Sequence, residues 1–286
     1  MLREKPESFN AARAELGRER LDLSGADLSH LRLEGAALAL TDLSGADLSD
    51  STVAAIELQA ARLQGAVTDH LSLVGDPQPV EFLLALWRDP LEFNELRRDK
   101  PVPFLSRADL VGATLSGADL SAVRLTDAVL EGADLRRCIL EGTNFDGASL
   151  RSANLSGTTL VRVDLEGADL SGADLSGASL RYCKLPGSRL DGANLRGARL
   201  EYCFLSDATG ERCDFSNGAW TQCTVNGAML TGCDFDHAEL IECSFIEGSL
   251  AGSHFDGASL RHCRFLGVAA ADVDFTAAVN VGSTFQ

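Results

Sequence analysis

Trp, Tyr, Met and His are scarce: the 286 residues include two Trp, two Tyr, two Met and five His. No C-x-x-C pair occurs among the eight cysteines, which removes the usual spacing for a zinc knuckle or a thioredoxin-like redox pair. No apolar run approaches the ~20 residues that a membrane-spanning helix needs. The first residues, MLREKPESFNAARAELGRER, are charged and lack the apolar core of a signal peptide. Basic residues are outnumbered, 25 against 42 acidic, for a formal charge of −17. That balance disfavours direct nucleic-acid binding, which draws its affinity from neutralised phosphates. Reduced cysteines without a disulfide framework suit the cytoplasm. No Ser/His/Asp grouping, phosphate loop or isolated carboxylate pair stands out, so neither catalytic residues nor a cofactor is expected.

What the chain has instead is a period. Of the 37 positions taken every fifth residue from Leu105 to Phe285, 32 are Leu or Phe; the exceptions are Gly210, Trp220, Val225, Ala270 and Asn280. Two residues before each centre, from Ala108 to Ser283, every position holds Ala, Cys, Ser, Thr, Val or Gly. All eight cysteines fall at these small positions, where a thiol packs like an alanine. Five matches neither the 3.6-residue period of a helix nor the two-residue period of a strand. A chain that turns a corner in every repeat fits, with the centre (i) and its small partner (i−2) pointing inward. Four sides then close a 20-residue coil, and successive coils stack at the strand spacing of roughly 4.8 Å. Glycine at i+2 relieves the corner backbone.

The unit Ala-Asp-Leu-Ser-Gly and its variants resemble the pentapeptide repeat family, whose pattern is small–(Asp/Asn)–(Leu/Phe)–(Ser/Thr/Arg)–Gly. The resemblance covers about 21–65 and 104–286. It implies an all-β fold, a right-handed quadrilateral parallel β-helix, and the period excludes the six-residue left-handed helix of acyltransferases. The best-understood members are rod-like homodimers that copy DNA in shape and charge, bind type II topoisomerases such as DNA gyrase, and protect the enzyme from inhibitors. The resemblance therefore implies a non-enzymatic topoisomerase partner. The other reading is a rigid scaffold that displays its interruption to an unrelated partner.

Four regions follow. Residues 1–20 carry a capping helix, expected over 7–19 with Phe9, Ala12 and Leu16 on one face. Residues 21–66 form a first repeat block, with centres ending in 3 or 8. The interruption, 67–103, contains five of the seven prolines. Pro79 and Asp89-Pro90 read as helix starts, giving two helices on one side of the solenoid, either a packed excursion that seals one face or a projecting arm with Phe82, Leu86 and Trp87 as contact residues. Residues 104–286 form the main solenoid, with centres ending in 0 or 5. Gly210, at an inward centre, reads as a bulge or bend.

Residues 20 apart should stack. On the side centred at Leu135, Leu155 and so on to Phe275 there are seven acidic and three basic residues, and beyond residue 200 no Lys or Arg. Asp214, Asp234, Asp236, Asp256 and Asp274 form an acidic stripe there, read either as the partner-binding surface or as hydrogen-bonding Asp/Asn ladders that the fold itself requires. His237 and His254 lie beside it and read as exposed polar groups, not as a metal site. The chain stops inside a repeat, and Val273, Phe275, Val281 and Phe285 are expected to join two copies through the last coil.

Overall fold

The computed structural model describes residues 6–15 and 20–286. Its architecture is a parallel, four-sided β-solenoid whose coils repeat every 20 residues. Bridges pair Asp134 with Asn154, Asn154 with Asp174, and Asp174 with Asn194 on one side. On another, seven short strands from 159–161 to 279–281 form one sheet at the same offset. Each inward Leu or Phe from Leu105 to Phe265 is buried. Such burial contributes on the order of 1.5–3 kcal/mol per side chain. The corner residue at i+2 adopts left-handed φ whether it is Gly172 (+67°) or Tyr202 (+56°).

The coil keeps its register across Gly210. Residues 209–211 pair with 229–231 without slippage, so the expected bulge is absent. The glycine is there for space: a Cβ on Gly210 would lie 2.6 Å from Cys213 Sγ and 3.2 Å from both Leu190 and Leu230.

Four helices among the described residues belong to the N-terminal third. Helix α1 spans Pro6–Glu15. Its Phe9 is buried as expected, whereas Leu16 and the side chain of Ala12 lie outside the described residues. A short helix, α2 (Ala55–Gln59), replaces one side of a coil in the first block. The first block then continues through a strand at Ser72–Val74, paired with Thr52–Ala54. The interruption thus begins near residue 76, later than position 67 suggested. Helix α3 is Gln78–Arg88 and α4 is Pro90–Asp99, with Asp89 Oδ1 capping α4 by accepting from the Leu91 N–H at 2.9 Å.

These two helices do not form a projecting arm. Phe82 and Leu86 are buried in the main core, and Trp87 is half-buried against both cores. Val80, on the same helix, belongs to the core of the first block. The apolar face of α3 is therefore a plug between two solenoid stacks that share no β-ladder among the described residues. A helix with apolar residues facing both neighbours loses less by filling that joint than by standing in water.

The lower edge of the main solenoid, left without a preceding coil, is satisfied by side chains. Within the stack, Leu115 N–H donates to Asp134 O, and Val129 N–H donates to Ala108 O. In the first main coil the missing partners are supplied by Gln59 of α2, whose Nε2 donates to Phe104 O and Ser106 O at 3.2 Å. Asn94 and Arg97 of α4 serve the next edge: Asn94 Oδ1 accepts from Asp119 N–H at 2.7 Å, and Arg97 donates to the carbonyls of Asp119 and Ser121. Burial works to raise the pKa of Asp119. Hydrogen bonds from Ser121 and the Arg97 guanidinium outweigh it and hold the carboxyl below its ordinary value.

Candidate partner-binding face

The i−1 position of each repeat lies just outside the wall, beside the inward Leu or Phe. A carboxylate there has a local structural task, because its Oδ1 accepts the backbone N–H two residues on. Asp214 takes Ser216 N–H at 2.9 Å and the hydroxyl at 2.6 Å, Asp234 takes Asp236 N–H at 2.8 Å, and Asp274 takes Thr276 N–H at 2.8 Å. Asp236, at i+1, instead reaches the next coil and accepts Asp256 N–H at 2.8 Å. The hydroxyl and N–H of Thr276 hold Asp274 below its ordinary pKa. These bonds fix the carboxylates in place while they remain partly or fully exposed.

The bridges place Asp214, Asp234, His254 and Asp274 in one column, one coil apart. Asp236 and Asp256 follow inward Phe235 and Phe255, whose rings stack at 4.7 Å. All five predicted stripe residues therefore share one wall of the solenoid. Some carboxylates elsewhere are neutralised locally: Arg136 pairs with Asp134 at 2.8 Å, Arg151 with Asp169 at 3.2 Å, and Lys184 with Asp164 at 3.8 Å. Among the described residues, no Lys or Arg pairs with any of the five stripe aspartates.

Five carboxylates spread over three coil steps occupy roughly 14 Å. One strand of a duplex places about four phosphates over that length. The main solenoid as a whole carries a net −11 over residues 108–286, roughly one charge per coil spread over four sides, against about three per coil height of a duplex. The stripe differs in gathering its charge on a single wall.

At the end of the stripe the core opens. Val273 and Phe275 are half-buried, whereas Val281 and Phe285 are exposed. The rings of Phe265 and Phe285 stack at 4.8 Å, and Phe275 lies 5.0 Å from Phe285. With Leu250, Val268 and Ala270 they line a shallow apolar depression of about 270 Å³. Sequence reasoning missed a second apolar surface, where Ile56, Val74 and Phe104 flank the joint between the two stacks. Its signal was α2, which the five-residue period conceals. The corner tyrosines Tyr182 and Tyr202 stack at 5.0 Å, extending the 20-residue ladder to the surface.

No grouping of three or more His, Cys, Asp or Glu side chains suited to a metal ion occurs among the described residues. The eight thiols are free and buried. No helix among the described residues is long and apolar enough to cross a membrane.

Pentapeptide repeats, in eight copies, match residues 21–53, 105–142, 143–181, 173–209, 211–245 and 238–276. The chain belongs to the pentapeptide repeat family. Within this family, a similar solved structure is HetL, a pentapeptide repeat protein involved in heterocyst differentiation regulation from the cyanobacterium Nostoc sp. strain PCC 7120. It is 20% identical, with 96% of this chain and 94% of HetL covered and a TM-score of 0.50. That likeness shows the fold. Full-length QnrB1, a plasmid-mediated fluoroquinolone resistance protein, is 19% identical over 62% of this chain and 91% of its own, with a TM-score of 0.27. A pentapeptide repeat protein of the Arabidopsis thaliana thylakoid lumen is 27% identical over 39% of this chain and 63% of its own, with a TM-score of 0.22. No curated protein sequence matches the chain.

Proposed function

We propose that this protein is a non-enzymatic, cytoplasmic partner of a type II topoisomerase such as DNA gyrase, which it engages through the acidic wall and protects from an inhibitor. The observation that carries the reading is the run of Asp214, Asp234, Asp236, Asp256 and Asp274 on one wall without a Lys or Arg partner among the described residues, where Asp134, Asp164 and Asp169 each have one. A fixed row of negative charge at the density of one DNA strand fits a basic groove that ordinarily holds DNA. The fold provides the stiffness that keeps the row straight, because the carboxylates of Asp214, Asp234, Asp236 and Asp274 are anchored to backbone of their own or the adjacent coil. QnrB1 supplies the precedent of drug resistance within the same family. Two copies joined through Val273, Phe275, Val281 and Phe285 would present the wall twice.

Titration of purified gyrase with the protein tests this reading. Binding is expected to weaken steeply with added salt, as charge-driven association does, and to fall at least tenfold when the five aspartates become asparagine. Binding that ignores both changes would overturn it.

A further inference from the structure

Helices α1 and α4 stand at the start of the two solenoid stacks, 84 positions apart, and they share a pattern outside the five-residue repeat. α1 reads PESFNAARAE and α4 reads PLEFNELRRD, so Pro6, Phe9, Asn10 and Arg13 match Pro90, Phe93, Asn94 and Arg97. Phe9 is buried in the core of the first block and Phe93 in that of the main solenoid. Arg13 is buried, and Arg97 is nearly so.

The asparagines make the same pair of bonds. Asn10 Nδ2 donates to Gly35 O at 2.6 Å, while its Oδ1 accepts Ala37 N–H at 2.8 Å. Asn94 Nδ2 donates to Gly117 O at 2.9 Å, while its Oδ1 accepts Asp119 N–H at 2.7 Å. Both targets occupy the same repeat positions: Gly35 and Gly117 follow inward Leu33 and Leu115 by two, and Ala37 and Asp119 precede inward Leu38 and Leu120. An N–H at this position bonds to the preceding coil elsewhere, as Asn154 N–H does to Ala133 O. Each asparagine amide thus replaces part of a coil that is not there.

The opposite end has no such helix among the described residues. The strands 279–281 and 284–285 are edge strands, and the core behind them is open at Phe275 and Phe285. In a parallel stack the upper edge of one coil is by construction the partner of the lower edge of the next. A C-terminal edge of one copy therefore matches an uncovered N-terminal edge of another, and that heterologous contact repeats without closing.

We infer that α1 and α4 are two uses of one edge-capping element, Pro-x-x-Phe-Asn-x-x-Arg, and that α1 keeps the first coil from accepting the C-terminal coil of a second copy. The inference is independent of what the acidic wall binds, but it uses the same C-terminal coil as the two-fold contact through Val273, Phe275, Val281 and Phe285, which an uncapped N-terminal edge must displace.

Sedimentation velocity over a hundredfold concentration range tests it, with three variants beside the parent. Phe9→Ser/Asn10→Leu is expected to give concentration-dependent growth to at least twice the parent's weight-average mass. Adding Asn280→Pro, which removes a backbone donor from the C-terminal edge strand, is expected to abolish that growth. Asn94→Leu is expected to lower the thermal midpoint without growth, because α3 and the first block still cover its edge. Far-UV circular dichroism accompanies each; if the double variant loses its β signal, Asn10→Leu alone carries the test. An uncapped variant that keeps the parent's mass, growth that survives Asn280→Pro, or an Asn94→Leu chain as stable as the parent would each overturn the inference.

Discussion

Gly210 and Trp220 occupy opposite sides of the same coil, so the smallest inward residue of the solenoid faces the largest. Trp220 is buried against Phe215 and Phe235, with ring centroids at 5.0 and 5.7 Å. The wall at Gly210 has no room for a Cβ. A close-packed interior favours such a pairing of a small with a large inward residue inside one coil.

Gly210→Leu is accordingly expected to destabilise by about 1–3 kcal/mol through overpacking. Trp220→Leu alone should cost a few kcal/mol, on the order of other large-to-small changes. Combining them should cost less than the sum of the two, measured by chemical denaturation as a double-mutant cycle. Strict additivity would show that the two sides do not share volume.

Leu170 tests the stack itself. It is fully buried in the middle of the main solenoid, and Leu170→Asp places a carboxylate where nothing can solvate it. A loss of about 4 kcal/mol or more is expected. Because each coil contacts its neighbours alone, hydrogen exchange should accelerate first in the coils beside residue 170. Unchanged thermal stability would contradict the coil arrangement.

Cys138 makes alkaline stability measurable. Its Sγ–H donates to Leu115 O at 3.0 Å, and burial pushes the thiol's pKa up to about 12, from an ordinary 9.0. The folded chain therefore keeps a proton that the unfolded chain releases. Stability from this group is complete below pH ~9 and declines as pH rises toward ~12. Cys138→Ala should flatten part of that decline in denaturation midpoints measured across the window. The same slope in both proteins would show that Cys138 plays no part in it. A thiol reagent at pH 8 should leave all eight cysteines unmodified until the chain unfolds.

The solenoid could be read from particular residues: Leu105 to Phe285 at every fifth place, small residues two before, and phenylalanine columns such as Phe215, Phe235 and Phe255 that stack as the 20-residue coil predicts. The acidic wall was legible for the same reason, since Asp214, Asp234 and Asp274 inherit their place from the period. The interruption was not. Val80, Leu83 and Trp87 announce a helical face, but nothing local says whether that face meets a partner or the open ends of two stacks. Phe82 and Leu86 are core residues for a tertiary reason, the need to close a joint. Asn94 escaped notice because a capping amide is defined by the edge it meets, 23 residues away in sequence at Gly117.

A charge-neutral replacement separates the structural use of the stripe from its use in binding. Asn154 and Asn194 already stand in the same column as Asp214, and Asn154 Oδ1 accepts Ser156 N–H at 3.0 Å just as an aspartate does. Changing Asp214, Asp234, Asp236, Asp256 and Asp274 to asparagine should therefore leave the thermal midpoint within a few degrees of the parent.

With that variant in hand, the decisive measurement is DNA gyrase supercoiling in the presence of a quinolone, with the parent protein or the five-asparagine variant added at up to tenfold molar excess. The parent is expected to restore supercoiling, or to shift the activity in a dose-dependent way, while the folded variant has no effect. A parent without effect at that excess, or a variant that acts as well as the parent, would contradict the proposed role of the acidic wall.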